Sequence, residues 1–213
     1  MALYRAIHSG RFSVETLFTA VKSDGQKISM YEIGVDLLRR QAEAIGIPLT
    51  VFSFDTQWSQ EEYAAAMAEQ MGQLKEKGMT TALFGDLYLE PLRKSREQQC
   101  GKAGIKAEFP LWNMGKEEAL AELIRLGFKA VVTCVDSRVL SDEWVGRIID
   151  QEFITAFPAT ADVCGENGEY HSFVFDGPIF RHPVDFRVMG KYDREYPDED
   201  TKAAHRYEYL ALE

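Results

Sequence analysis

Two short segments of this 213-residue chain gather residue types that do chemistry together. The first is Gly85-Asp86-Leu87-Tyr88-Leu89-Glu90-Pro91-Leu92-Arg93-Lys94-Ser95-Arg96-Glu97, in which Arg93 and Arg96 stand three apart and so share a helix face. Two guanidiniums at that spacing can grip a phosphate or a carboxylate in bidentate fashion. They can equally pair with Glu90 and Glu97 on a solvated face. The second segment is Cys164-Gly165-Glu166-Asn167-Gly168-Glu169-Tyr170-His171. Its two glycines permit tight turns and hold Glu166, Asn167, Glu169 and His171 together, a set suited to hydrogen bonding and proton transfer or to an ordinary hairpin turn. Cys164 and His171 are too few for a tetrahedral metal site, so no protein metal ligands are assigned.

Single residues at predicted strand ends extend the set. In an open parallel sheet, ligands sit beyond the carboxyl ends of the strands. Phe18-Thr19, Ser53-Phe54-Asp55, Gly85-Asp86 and Cys134-Val135-Asp136 each close a predicted strand. Asp86 and Asp136 could take Mg²⁺ or a ribose hydroxyl there, or simply cap the helix that follows. Trp112 is read as a core or interface anchor and His182 as part of a turn-rich loop.

The elements that must position these residues follow from apolar periodicity. A first helix closes at Gly10, a strand is predicted over 14–19, and a helix carrying Ile33, Leu37, Leu38, Ala42 and Ile45 stops at Gly46. A strand over 49–54 follows Pro48, and Ser59 with Glu62 forms a capping box before a helix that ends at Gly78. Strands over 81–84, 105–109 and 129–135 then alternate with helices over 88–101 and 116–126. That rhythm predicts an α/β fold, a Rossmann-like, mostly parallel sheet flanked by helices. The last third holds an amphipathic stretch over 144–157 and strands over 170–175, 184–188 and 207–212, with a mobile acidic run at Asp198-Glu199-Asp200. It reads as a smaller C-terminal α+β portion, giving domains 1–136 and 137–213.

Lys and Arg number 24 against 34 Asp and Glu, a net charge of -10 that opposes general binding to nucleic acid or to an anionic membrane. Three widely spaced cysteines supply neither a disulfide framework nor a CxxC pair, and no long apolar run is present. A cytoplasmic protein is expected.

Taken in order, Ile28-Ser29-Met30, Gly85-Asp86 with Leu92-Arg93 and Arg96-Glu97, Phe109-Pro110-Leu111-Trp112, Val132-Thr133-Cys134-Val135-Asp136, and the 164–173 segment followed by Asp176-Gly177-Pro178 resemble the diphthine-ammonia ligase branch of the PP-loop ATP pyrophosphatases. The resemblance implies a PP-loop or HUP-type nucleotide domain that uses ATP with Mg²⁺ to adenylate a carboxylate, which ammonia then converts to an amide. It places Phe18, Thr19 and Met30 beside the adenine and Gly85, Asp86, Arg93 and Arg96 near the nucleotide or the activated carboxylate. Asp136, Glu166, Asn167, Glu169 and His171 fall on the side of the acceptor, a carboxylate of unknown identity that could be carried by a protein.

Family members also carry an SGGKDS-type loop between a buried strand and the first helix, whose backbone N–H groups cradle phosphates. The segment Ala2-Leu3-Tyr4-Arg5-Ala6 matches the helix after that loop, and the loop itself is nowhere in the 213 residues. Relatives often carry His where this chain has Tyr31. Two outcomes are expected: impaired turnover, or a noncatalytic nucleotide- or substrate-binding module. A central strand absent from the sheet would leave its neighbours with open edges, a surface for self-association.

Overall fold

In the computed structural model, residues 1–23, 28, 32–197 and 204–213 are described. Met30, its neighbours Ser29 and Tyr31, and the acidic run at 198–200 lie outside them. In chain order the elements are α1 (Ala2–His8), β1 (Leu17–Lys22), α2 (Val35–Ile45), β2 (Leu49–Phe54), α3 (Gln60–Glu76), β3 (Thr81–Leu83), α4 (Glu90–Lys102), β4 (Lys106–Glu108), α5 (Lys116–Arg125) and β5 (Lys129–Asp136). A 3-10 turn (Asp142–Trp144), α6 (Gln151–Ala156), β6 (Tyr170–Asp176), β7 (Val188–Pro197) and β8 (Ala204–Leu212) complete the chain. The fold is mixed α/β, with parallel strand pairs flanked by helices and a C-terminal antiparallel sheet.

Two compact units divide these elements. The first comprises Met1–Gln26 and Ile47–Gly115. Here β1 runs parallel to β2, from Leu17 opposite Leu49 to Lys22 opposite Phe54, and β3 runs parallel to β4, with Thr81 opposite Lys106. Among the described residues the two pairs are separate sheets, so β1 and β3 share no ladder. Two-stranded sheets are marginal alone. A shared apolar cluster supports both: Phe52, Met67, Met71, Leu74, Cys100 and Ile105 pack with Phe18 and Ala20 of β1, Ala82 of β3 and Ala107 of β4. The predicted capping box starts α3, Glu62 N donating to Ser59 Oγ at 3.2 Å and Ser59 N to Glu62 Oε2 at 2.8 Å.

The second unit comprises Lys27–Gly46 and Lys116–Glu213. Its four-stranded sheet has the order β6-β5-β8-β7, and every pairing is antiparallel. Ala130, Val131, Val132, Val135, Phe153, Tyr170 and Phe173 lead its core, and Leu37 and Ala44 of α2 enter it. Gln41 Nε2 donates to the Val174 carbonyl at 2.6 Å and Arg181 N to that of Ala44 at 2.7 Å, which fastens α2 here. Gly46, at φ 82°, ends that helix in the left-handed conformation. The units thus divide at Gly115/Lys116, with residues 27–46 belonging to the second, whereas the sequence rhythm changes after residue 136.

Three strand expectations are corrected. The predicted strand over 14–19 lies three residues later as β1, because its partner β2 begins only after Pro48, whose carbonyl accepts from Leu17 N at 2.8 Å. Consequently Phe18 and Thr19 open β1 instead of closing it. The buried run expected to continue the parallel sheet is β5, whose flanking strands are antiparallel. Of residues 184–188 only Val188 is in a strand; Val184 is buried, its N–H bonded to the Phe175 carbonyl, and the ladder with β8 starts where Val188 meets Leu212.

Candidate functional site

The carboxyl ends of β3 and β4 face the start of α4 within the first unit, and there the sequence-predicted Asp86, Arg93 and Arg96 assemble. Asp86 is 8% exposed and receives two donors from Arg96, Nε to Oδ2 at 2.8 Å and Nη2 to Oδ1 at 3.3 Å. The Arg96 guanidinium also lies 4.6 Å from the centroid of Phe84, the residue after β3. Arg93 donates Nε to Glu97 Oε1 at 2.9 Å, the helical pair expected of a solvated face. Its guanidinium stands 4.6 Å from the Trp112 ring centroid and 5.2 Å from that of Phe109, the residue after β4. Phe84 stacks on Phe109 at 5.5 Å, so cations and rings alternate through the cluster.

Sequence reasoning missed the role of these rings, and Trp112 is half-buried under Arg93, not a plain core anchor. Their signal was position: Phe84 and Phe109 are each the last residue of a predicted strand, over 81–84 and 105–109. Asn113 holds the turn beyond Trp112, adopting φ 61° while its N–H donates to the Leu87 carbonyl at 2.8 Å. Asn tolerates that conformation better than most residues. Arg5 of α1 reaches the same turn, its Nη1 donating to the Pro110 carbonyl at 3.4 Å.

In the second unit a backbone bond from Asp136 N to the Glu169 carbonyl, 3.0 Å, brings the end of β5 against the polar turn before β6. Glu169 is 6% exposed and organises that turn. Its Oε1 accepts from Asp162 N at 3.0 Å and from Asn167 Nδ2 at 3.1 Å, and Oε2 accepts from Asn167 N at 3.1 Å. Asp162, itself buried, pairs with Lys116 Nζ at 2.9 Å and accepts from Cys164 N at 2.9 Å. Gly165 takes φ 70°, and a Cβ there would lie 2.9 Å from the Tyr170 carbonyl oxygen, so glycine is required. Glu166 is half-buried and Asn167 exposed.

His171, on β6 opposite Cys134, is held neutral because burial lowers its pKa to about 4. Burial also pushes the Cys134 and Cys164 thiols up to about 12. Asp136, 4% exposed, accepts from Arg138 N and Nε at 2.9 Å and is further bonded to Arg138 Nη2. Burial opposes its charge, but the bonds and charge of Arg138 outweigh burial and hold its pKa below the usual aspartate value. Arg138 Nη1 donates in turn to His205 Nε2 at 3.0 Å. Because β5 is antiparallel, the parallel-sheet rule that singled out Asp136 does not reach it.

Phe18 packs into the first unit's apolar cluster, 6.5 Å from Phe52, and Thr19 sits within β1 opposite Val51. Gly85 follows β3, and the described neighbour nearest to a Cβ placed there is Ala2, at 3.9 Å. The described predicted residues thus divide between the units, with Phe18, Thr19, Gly85, Asp86, Arg93 and Arg96 in the first and Asp136, Glu166, Asn167, Glu169 and His171 in the second.

Comparison with known proteins covers both groups. Residues 1–107 match the diphthamide synthase N-terminal domain and residues 115–201 the diphthamide synthase C-terminal domain. The human and bovine diphthine–ammonia ligases are each 27% identical to this chain over 180 residues, covering 77% of this chain and 67% of theirs. That of the mouse is 25% identical over 181 residues, with the same coverage. With matches along most of its length, the chain belongs to the diphthamide synthase family.

Proposed function

We propose that this protein is an ATP-dependent, amide-forming ligase of the diphthine–ammonia ligase kind. The observation that carries the reading is the succession of the two family domains over residues 1–107 and 115–201. In that reaction a carboxylate oxygen attacks the α-phosphorus of ATP and pyrophosphate leaves. Ammonia then attacks the acyl carbon, AMP departs, and the nitrogen gives up a proton. Positioning and offset of anionic charge supply most of the acceleration in such chemistry.

The first unit's cluster suits the charged reactants, with Arg96 fixed by Asp86 and Arg93 held among rings. The turn at Glu166–His171 suits the acceptor. Glu169 acts there by holding the turn's amides, since its oxygens already take three N–H donors. A histidine with a pKa of about 4 is a weak base at neutral pH, so His171 does not suit the role of general base. Asp86 and Asp136, each engaged by an arginine, do not fit as Mg²⁺ ligands in this arrangement.

Nucleotide titration and ATP–pyrophosphate exchange test the proposal together. Adenine nucleotides should bind, and carboxylate activation should appear as exchange of pyrophosphate into ATP once the acceptor is supplied. Failure of every adenine nucleotide to bind overturns the ligase reading. AMP binding as tightly as ATP would favour a noncatalytic nucleotide-binding module.

A further inference from the structure

The two arginines that look equivalent in the sequence are not equivalent in the fold. Asp86 occupies Arg96 through both Nε and Nη2. Arg93 spends only Nε, on Glu97, so its Nη1 and Nη2 have no partner among the described residues. Its guanidinium lies over the rings of Trp112 and Phe109, while its side chain stays 33% exposed. Both rings come from the segment leaving β4, and Arg93 from the helix that follows β3. The group therefore sits at the carboxyl end of a parallel strand pair, where such sheets take their ligands.

We propose that Arg93, with Trp112 and Phe109 as its supports, is the receptor for an oxyanion of the substrate, and that Arg96 with Asp86 is a positioning pair. Ring contact and the Glu97 bond fix the guanidinium plane beforehand, so little side-chain freedom is lost when an anion docks. The rings also displace water beside the guanidinium, which strengthens its remaining hydrogen bonds. A planar fork with open Nη groups matches the paired oxygens of a carboxylate or a phosphate. The inference rests on the ligase reading only for which of these two groups is delivered.

The test is an NMR titration of the Trp112 indole N–H, identified by its loss in Trp112→Phe, with pyrophosphate, AMP and acetate at constant ionic strength. At least one probe should shift that resonance saturably. Response to pyrophosphate and AMP assigns the fork to the phosphate side, and response to acetate to the carboxylate side. Arg93→Gln should weaken binding tenfold or more, and Arg93→Lys should lie between it and wild type. Lys94→Gln removes an equal charge from the next, exposed position and should change binding by less than twofold. The remaining spectrum reports that each variant is folded. No saturable shift with any probe, or equal losses in Arg93→Gln and Lys94→Gln, overturns the proposal. If oxyanions bind while no adenine nucleotide does, the ligase reading fails and this inference stands; the converse result fails this inference alone.

Discussion

Replacing Glu169 separates a structural carboxylate from a catalytic one. Glu169→Ala leaves the buried Asp162 N–H without its acceptor, a cost of about 2 kcal/mol. Asn167 is exposed, so its N and Nδ2 donors can turn to water, and each loses only about 0.5 kcal/mol of net bonding. The sum is about 3 kcal/mol of stability. Glu169→Gln keeps an oxygen for Asp162 N but sets an amide NH₂ against the Asn167 N–H, for a loss of about 1 kcal/mol. Urea unfolding followed by fluorescence and circular dichroism should give the order wild type, Gln, Ala, with unchanged slopes. Because Asp162 also holds the Cys164 amide, the loosened turn should expose that thiol, and Ellman's reagent should label Cys164 faster in Glu169→Ala than in wild type. A loss under about 1 kcal/mol, with Cys164 labelling unchanged, would refute the assignment of Glu169 as the turn's organiser.

Two further outcomes follow from burial. The folded pKa of His171 is about 4 against 6.5 unfolded, so the unfolded chain binds the extra proton between those values. Stability should therefore fall as pH drops from about 6.5 towards 4, by up to about 1.4 kcal/mol per pH unit, and His171→Gln should flatten that slope in urea titrations across the range; an unchanged slope would count against a neutral, half-buried imidazole. Cys100 and Cys134 are buried and Cys164 is half-buried, and burial raises all three thiol pKa values, so native protein at pH 8 should resist Ellman's reagent for minutes while denatured protein yields three thiols; a fast-reacting native thiol would contradict this packing.

Elements set by near neighbours were legible in the sequence. The Ser59–Glu62 capping box, the Gly46 stop and β2 after Pro48 depend on residues within a few positions, and each stands where periodicity puts it. Elements set by distant partners were not. The start of β1 is decided by Pro48, some thirty residues on, and the antiparallel setting of β5 by strands that follow it. Apolar patterning of β5 registers burial on both faces, which parallel and antiparallel strands share when both faces are covered. The helix over 33–45 was likewise visible, but its place in the second unit depends on long-range partners such as Val174 and Arg181.

For the candidate site, composition was legible and commitment was not. Asp86, Asp136 and Glu169 each look in sequence like carboxylates available to a cation or a proton. Each instead directs its oxygens to N–H donors of the fold: Arg96, Arg138, and the turn around Asn167. In a chain of net charge -10, carboxylates engaged in this way are partly neutralised, which lowers the repulsion that an anionic substrate would meet near them. The groups left to act are then cationic. Arg93 differs from Arg96 in what the fold spends of its donors, one bond against two, and in the rings beneath it, and those differences turn on where Asp86 and the Phe109–Trp112 segment lie in space. Spacing on a helix puts two guanidiniums on one face; which of them can still take a ligand is decided by strand ends ten and sixteen or more residues away.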